Sequence, residues 1–72
     1  MTKALDAKAI GRRLRERRGV FRTQEEVAKE TGVDRSRLSR YETGAAIPTD
    51  SDKIALANYY GTTVEALFYA QK

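Results

Sequence analysis

Residues 24–41, with the sequence QEEVAKETGVDRSRLSRY, decide the fold of this chain of 72 residues. The stretch contains two segments with helical spacing, which are joined by the turn Thr31-Gly32-Val33. Two helices joined by so short a turn must cross at a steep angle. Gly32 suits the left-handed conformation of such a turn, and the small side chain of Ala28 lets the helices approach closely. The stretch therefore predicts a pair of short helices that cross steeply.

Apolar residues identify the side of each helix that faces the core. In the central pair these residues are Val27, Val33, Leu38 and Tyr41. In the first predicted helix, Ala7, Ile10 and Leu14 recur at steps of three and four residues and form a narrow apolar face. Gly11 lies within that helix and is expected to weaken it modestly. The apolar residues of the last two helices include Ile54, Ala57, Tyr60 and Phe68.

Capping residues mark where the helices begin. Thr23 followed by Glu26 is a capping box, and Asp34 is a suitable N-cap for the third helix. Thr62 followed by Glu65 forms a second capping box. The predicted helices span residues 6–18, 23–31, 35–42, 50–60 and 62–70, and residues 44–49 form a loop. Because no segment alternates like a strand, the sequence predicts an all-α fold of five short helices around one core, in a single domain over residues 1–72.

The positive charge of the chain is concentrated in its first part. Fourteen Lys and Arg residues against ten Asp and Glu residues give a net charge of +4. Residues 1–42 carry a net charge of +5, and all nine arginines lie between Arg12 and Arg40. A one-sided basic field favours polyanions, because released counterions drive the affinity. An Arg-rich helix that is merely well solvated is the alternative interpretation.

The outer face of the third helix is polar and basic. Positions i, i+1, i+4 and i+5 of a helix form one stripe, which here holds Arg35, Ser36, Ser39 and Arg40, with Arg37 to one side. Arg can donate two hydrogen bonds to guanine O6 and N7 in the major groove, and Ser can contact several bases. Apart from Asp34 and Glu42 at its ends this helix carries no acidic residue, whereas a merely solvated helix usually mixes both signs. The stripe therefore indicates base recognition, with a solvated polar face as the alternative.

The composition excludes several classes of function. The chain has no Cys and no His, which removes thiol nucleophiles, His-based triads, disulfides and His or Cys metal sites. Ser36 and Ser39 therefore lack a histidine base, and we expect no enzyme activity, no metal, no cofactor and no small-molecule ligand. The longest apolar run is far shorter than the ~20 residues of a membrane span, and the N-terminus lacks the apolar stretch of a signal peptide. These features predict a cytoplasmic protein that does not bind membranes.

Residues 10–68 resemble the Cro/repressor-type helix-turn-helix family, the lambda repressor-like or XRE-type domains. The resemblance is carried, in the family's order, by IGRRLR at 10–15, TQEEVA at 23–28, TGV at 31–33, LSRYETG at 38–44, IPT at 47–49 and residues 57–68. It implies that residues 23–42 form the helix-turn-helix motif, with the third helix as the recognition helix. It also implies double-stranded DNA as the partner and binding as a homodimer.

The resemblance further implies roles for individual residues. The positions that match base-reading ones are Arg35 and Ser36 at the start of the recognition helix, and Ser39 and Arg40 later in it. Gln24 and Thr43 match positions that contact the DNA backbone. Arg18 and Glu42 match an ion pair that, in some members, connects the first helix to the end of the third.

Two departures from the family pattern shift the expected roles of neighbouring residues. Arg17 stands where the family often has an apolar residue, and we expect Phe21 to supply the missing core volume. Ala45 and Ala46 stand where basic residues often contact phosphate, and Arg22 is the candidate to replace them. The full set of candidate phosphate contacts is Arg22, Thr23, Gln24, Arg37 and Thr43.

Aromatic residues cluster towards the end of the chain. A base-stacking platform is conceivable, but residues 43–72 carry a net charge of −1, which argues against it. Tyr60 and Phe68 are expected to pack in the core. Tyr59 and Tyr69 then remain for a dimer interface, because Tyr is favoured in interfaces. Members of the family commonly dimerise through the region around the last helix.

Taken together, these features favour a sequence-specific DNA-binding regulator of transcription, acting as a repressor on a palindromic operator. A small phage-type repressor, an antitoxin that regulates its own operon and a restriction–modification controller all fit this description. A protein-binding adaptor built on the same fold, with the arginines of the third helix contacting an acidic protein, is the alternative from another class.

Overall fold

A computed structural model of the chain describes residues 6–69, which form helices without any strand. The helices are α1 (Ala7–Arg18), α2 (Gln24–Thr31), α3 (Arg35–Thr43), α4 (Asp50–Tyr59) and α5 (Glu65–Tyr69), of which α5 is a single π-helical turn. This architecture confirms the predicted all-α fold of five helices. The predicted end of the fifth helix at Ala70 and the first five residues of the chain lie outside the described residues.

Side-chain caps fix the starts of the helices. At α2 the Thr23 hydroxyl accepts a hydrogen bond from the Glu26 N–H, and the Glu26 carboxylate accepts one from the Thr23 N–H, both at 3.0 Å. This reciprocal pair confirms the predicted capping box. At α5 the capping residue differs from the prediction, because the hydroxyl of Thr63, rather than that of Thr62, accepts from the Ala66 N–H at 3.0 Å. The sequence contains a threonine at both positions, so it did not distinguish them.

The turn between α2 and α3 has the geometry that the sequence predicts. Gly32 adopts the left-handed conformation, with φ 81° and ψ 3°, and its N–H donates to the Ala28 carbonyl at 2.9 Å. The Asp34 carboxylate then accepts from the Ser36 N–H at 3.0 Å and starts α3. Because the Gly32 N–H and the Ser36 N–H are both hydrogen-bonded within this segment, α3 leaves the turn in a fixed direction.

Ten apolar residues form the buried core. They are Ile10, Leu14, Val27, Val33, Leu38, Tyr41, Leu56, Ala57, Leu67 and Phe68. The inward-facing residues predicted for the α2–α3 pair are all among them, and Tyr60 packs against the core while remaining partly buried. The core therefore collects side chains from every helix.

Two expectations about apolar residues are wrong. Phe21 supplies no core volume, because it lies in the turn after α1 with 94% of its surface exposed. Ile54 is 54% exposed, because the buried face of α4 instead runs through Asp52, Lys53, Leu56 and Ala57. On that face, two charged residues, Asp52 and Lys53, are buried beside the apolar ones.

A buried carboxylate attaches α4 to α3. The Tyr41 hydroxyl donates to Asp52 at 2.5 Å, and the Arg37 guanidinium lies 3.5 Å from the same oxygen. Burial and the hydrogen bond to Asp52 both raise the pKa of Tyr41, so that its hydroxyl stays protonated as the donor. Asp52 is 7% exposed, and its two partners explain how a charge is accommodated there.

The tightest contact between helices joins α1 to the end of α3. Gly11 is buried, and a Cβ atom built on it would lie 2.6 Å from the Glu42 carbonyl oxygen and 2.8 Å from that of Tyr41. Both neighbouring atoms belong to the backbone and cannot rotate away. The Arg15 guanidinium also donates to the Glu42 carbonyl. Gly11 is thus the residue that permits the close approach of α1 and α3, which was not apparent from its position in a helix.

We expect Gly11→Ala to destabilise the protein by about 1–3 kcal/mol, because the added methyl group forces α1 away from α3. In an exposed helix the same substitution is stabilising by about 1 kcal/mol, so the two effects have opposite signs. The measurement is the free energy of unfolding in urea. Glu16→Ala, at an exposed site on the same helix, is the control and should change it by less than about 0.5 kcal/mol. A more stable Gly11→Ala variant would contradict the close packing.

Candidate nucleic-acid interface

The outer face of α3 presents two arginines, Arg35 and Arg40, whose side chains have no partner among residues 6–69. Arg35, Ser36 and Arg40 are exposed, and Ser39 is partly buried. Within residues 6–69, neither the Arg35 nor the Arg40 side chain forms an ion pair or a hydrogen bond, and α3 is anchored instead by Leu38 and Tyr41 on its buried face. The donors of both guanidinium groups are therefore available to an external acceptor.

Arg37 differs from the other two arginines of α3. Its guanidinium lies 3.5 Å from the Asp52 carboxylate, although half of the side chain remains exposed. The structure therefore gives Arg37 a part in holding α4, in addition to the phosphate contact predicted for it. Because the charge of Arg37 partly compensates the buried Asp52 carboxylate, less of that charge is available to a ligand.

The carboxylate of Glu42 joins three helices at one point. It is 1% exposed, and Arg18 donates to both of its oxygens, from Nε at 2.8 Å and from Nη2 at 2.9 Å. The Gln24 amide donates to Oε1 at 2.9 Å. The hydrogen bonds and charge of Glu42 raise the pKa of Arg18, so the guanidinium stays charged. The ion pair between Arg18 and Glu42 thus forms with bidentate geometry and includes Gln24 as a third member.

This network fixes the orientation of the Gln24 side chain at the first residue of α2. One N–H of its amide is bonded to Glu42, and a primary amide carries a second N–H that points elsewhere. Thr23, just before α2, uses its hydroxyl oxygen as the cap acceptor and keeps its O–H as a donor. Both residues thus offer donors at a helix N-terminus, where the partial positive charge attracts anions.

An open concavity connects the start of α2 to the start of α3. It is lined by Arg18, Gly19, Val20, Arg22, Thr23, Gln24, Glu25 and Arg35. The structure thus brings Arg35, a predicted base-reading residue, into the same depression as three of the predicted phosphate contacts. Of the eight lining residues, three are arginines and one is acidic, so the depression is predominantly basic.

The remaining candidate phosphate contacts have intramolecular partners of their own. The Arg22 guanidinium donates to the Arg17 carbonyl at 3.3 Å and lies 5.5 Å from the centre of the Tyr59 ring. The Thr43 hydroxyl donates to the Arg40 carbonyl at 3.2 Å. Both side chains are exposed, and these weak contacts are of the kind that exchange readily for a phosphate oxygen.

The two tyrosines predicted for a dimer interface contact different parts of the molecule. Tyr59 packs edge-to-face on Tyr60, with ring centres 5.0 Å apart, and lies beside Arg22. Tyr69 accepts a hydrogen bond from Lys53 at 2.8 Å and is 42% exposed. No contact joins Tyr59 to Tyr69 among the described residues, so one surface that includes both has to span α4.

Burial affects one further tyrosine near the interface. It raises the pKa of Tyr60 to about 12, and the negative charge of Glu42 contributes to this shift. The Tyr60 hydroxyl is buried without a hydrogen-bond partner among the described residues. The sequence alone indicated only that this residue packs in the core, because its hydroxyl environment depends on charged groups from other segments, which are Glu42, Arg18 and Arg22.

Two residues with a part in the site escaped the sequence analysis. Asp52, on the buried face of α4, orients both Tyr41 and Arg37. Val20 lines the concavity beside Arg35, although it was assigned no role. The sequence did contain an indication of this role. Val20 and Phe21 form an apolar pair that lies between arginines and belongs to neither neighbouring helix.

Residues 6–69 contain no group of three or more acidic, His or Cys side chains that could hold a metal ion. None of the described helices is long and apolar enough to cross a membrane.

We expect Glu42→Gln to lower the free energy of unfolding by about 2 kcal/mol, because it leaves the Arg18 guanidinium without its counter-charge. A double-mutant cycle with Arg18→Met should return a coupling energy of about 1–2 kcal/mol. Asp50→Asn is the control, because the Asp50 side chain is 97% exposed and its ion pair with Lys53, at 3.7 Å, should contribute less than about 0.5 kcal/mol. Equal effects of Glu42→Gln and Asp50→Asn in urea unfolding would refute the role of Glu42 as a junction.

The family profile described as Helix-turn-helix domain matches residues 11–67. The match includes α2, the turn at Gly32 and α3, together with the helices that pack against them. No curated protein and no solved structure matches the chain. Domains of this family bind DNA and are typically not enzymes. On the extent of this match and on the geometry of α2 and α3, the chain belongs to the helix-turn-helix domain family of the XRE and Cro type.

Proposed function

We propose that the protein is a transcriptional repressor that binds a palindromic operator in double-stranded DNA as a homodimer. The observation that carries the proposal is the exposed face of α3, where the guanidinium groups of Arg35 and Arg40 have no acidic partner within residues 6–69. Membership of a DNA-binding family supplies the class of ligand, and this face supplies the chemistry that would read it.

In this proposal α3 lies in the major groove with its first turn towards the bases. Arg35 donates two hydrogen bonds to a guanine, and Ser36 beside it contacts a neighbouring base. Ser39 and Arg40, one turn later, reach either further bases or the phosphates that border the groove. The first turn of a recognition helix is the part that reaches base edges in this class of motif.

Contacts to phosphate oxygens hold the protein in register on the duplex. Gln24 and Thr23 donate from the start of α2, where the helix dipole adds to the attraction. Thr43 donates from the end of α3. Arg22 and the exposed half of the Arg37 side chain add positive charge to these hydrogen-bond donors.

The dimer would place two copies of α3 in successive major grooves, with half-site centres ~34 Å apart. Tyr59 and Tyr69 are the residues proposed for its interface, and the exposed Ile54 lies on the same helix as Tyr59. Repression would follow from occupancy of a promoter in the cytoplasm, without an effector ligand.

Selection of bound sequences from random duplex DNA, at roughly physiological salt, tests the proposal directly. We expect a palindromic site whose half-sites are centred about 10 base pairs apart. Enrichment of a single half-site would retain DNA binding but contradict the homodimer. If folded protein enriched no sequence at all, the alternative of an adaptor that binds an acidic protein would replace the proposal.

We expect Arg35→Ala to weaken binding to the selected site by about 1–3 kcal/mol and to relax the base preference at one position. Binding to random duplex should change much less, because a base contact is lost. Lys29→Ala removes the same charge from an exposed site near the end of α2 and should leave the base preference unchanged. Titration of both variants on both duplexes measures these effects, and equal weakening of Arg35→Ala on random DNA excludes Arg35 as a base-reading residue.

We expect Gln24→Ala to behave differently, weakening specific and random duplexes alike because it removes a phosphate contact. Gln24→Ala also removes the hydrogen bond to Glu42. The free energy of unfolding of the same variant shows how much this second loss affects the fold. A loss of affinity confined to the selected site would show that Gln24 contacts a base instead.

A further inference from the structure

The turn between α1 and α2, residues 19–22, exposes two large apolar side chains. Val20 is 90% exposed and Phe21 is 94% exposed, which makes them the most exposed of the large hydrophobic residues that the structure describes. Single exposed apolar residues are common on protein surfaces, but two adjacent ones at a projecting turn form a small patch with no partner in this chain. We call residues 19–22 the α1–α2 turn.

The α1–α2 turn is held in place by hydrogen bonds from arginines on both sides. Arg18 Nη1 donates to the Arg22 carbonyl at 3.1 Å, and Arg22 Nη1 donates to the Arg17 carbonyl at 3.3 Å. Gly19 begins the turn with φ 68°, a value that side-chain-bearing residues rarely adopt. The bond from Arg18, whose guanidinium is also held by Glu42, closes the base of the turn, so Val20 and Phe21 project from a fixed support even when Arg22 contacts a phosphate. An apolar group that is already ordered loses little entropy on binding.

The α1–α2 turn lies on the same side of the molecule as the start of α3. Gly19, Val20 and Arg22 line the same concavity as Gln24 and Arg35. With α3 in the major groove and Gln24 on the bordering phosphate strand, as proposed above, the concavity would face that strand, with Arg35 on the side of the major groove and the α1–α2 turn on the opposite side. The minor groove begins on the far side of that strand.

We propose that the α1–α2 turn is a second DNA-binding element, in which Val20 and Phe21 pack as an apolar wedge into the minor groove that flanks each half-site. Apolar side chains, Phe among them, are used in this way by proteins that bind the minor groove, and neighbouring cations hold the phosphates on either side. Here Arg17 and Arg22 are the exposed cations beside the wedge. This inference rests on the proposed function, since it takes α3 in the major groove as its starting point.

The charge around the turn selects DNA over another protein copy as the occupant. The turn carries arginines at positions 17, 18 and 22 and no acidic residue between them. A second copy that packed against the same patch would bring Arg17 and Arg22 of both copies together, and like charges at short range repel, whereas the charge of Arg18 is already compensated by Glu42. A DNA duplex has the opposite charge, and its sugars and base edges accept contacts with apolar side chains.

The test compares Val20→Ser/Phe21→Ser with the unmodified protein on two duplexes. The long duplex contains the selected operator with about five additional base pairs, half a helical turn, beyond each half-site, and the short duplex lacks them. We expect the double variant to bind the long duplex about tenfold more weakly and the short duplex equally well. The salt dependence should be unchanged, because no charge is removed.

Ile47→Ser is the matched control, since it removes an exposed apolar side chain from the loop before α4 and should bind both duplexes like the unmodified protein. Thermal unfolding of all variants checks that the fold is intact, as expected for side chains at this level of exposure. A second readout uses 2-aminopurine in the flanking duplex, whose fluorescence should rise when Phe21 unstacks it and should not rise with the double variant.

The outcomes separate this inference from the proposed function. If the unmodified protein selects no duplex, the proposed function fails, and the wedge fails with it. If it binds its operator with the same affinity on the long and short duplexes, only the wedge is overturned. Equal binding of the double variant and the unmodified protein to the long duplex likewise overturns it and reassigns the patch to a protein partner.

Discussion

The buried carboxylate of Glu42 is the point on which the arrangement of α1, α2 and α3 depends. A charge that is 1% exposed must be compensated within the protein, and Arg18 and Gln24 provide the compensation from two other helices. The carbonyl of the same residue accepts from Arg15 and lies against Gly11, so the backbone of α3 ends where the backbone of α1 passes. The C-terminal end of α3 is therefore fixed against α1 and α2, in addition to its start at the Gly32 turn.

Most of the fold followed from interactions between residues close together in the sequence. The turn at Gly32, the capping box at Thr23 and the N-cap at Asp34 each depend on atoms within a few residues, and all three form as predicted. The core positions of α2 and α3 followed from helical spacing for the same reason. The polar stripe on α3 could be identified because its neighbours Leu38 and Tyr41 have to face inward.

The features that were missed depend on contacts between distant segments. Gly11 appeared to weaken a helix until the carbonyl groups of Tyr41 and Glu42 were found against it. Phe21 was expected in the core because its apolar character was visible, whereas the direction of its turn was not. On α4 the buried stripe includes Asp52, and an acid becomes acceptable there only because Tyr41 donates to it from α3. No pattern along one helix contains that information.

The absence of intramolecular bonds to the side chains of Arg35 and Arg40 within residues 6–69 has a consequence for how this sequence can change over generations. The helix is anchored by Leu38, Tyr41 and Glu42, and none of these belongs to the polar stripe. Arg35 and Arg40 contribute no ion pair or side-chain hydrogen bond to the scaffold within residues 6–69. Under the proposed function, substitutions in the stripe would change the DNA target at little cost to the fold, so that recognition could change independently of stability.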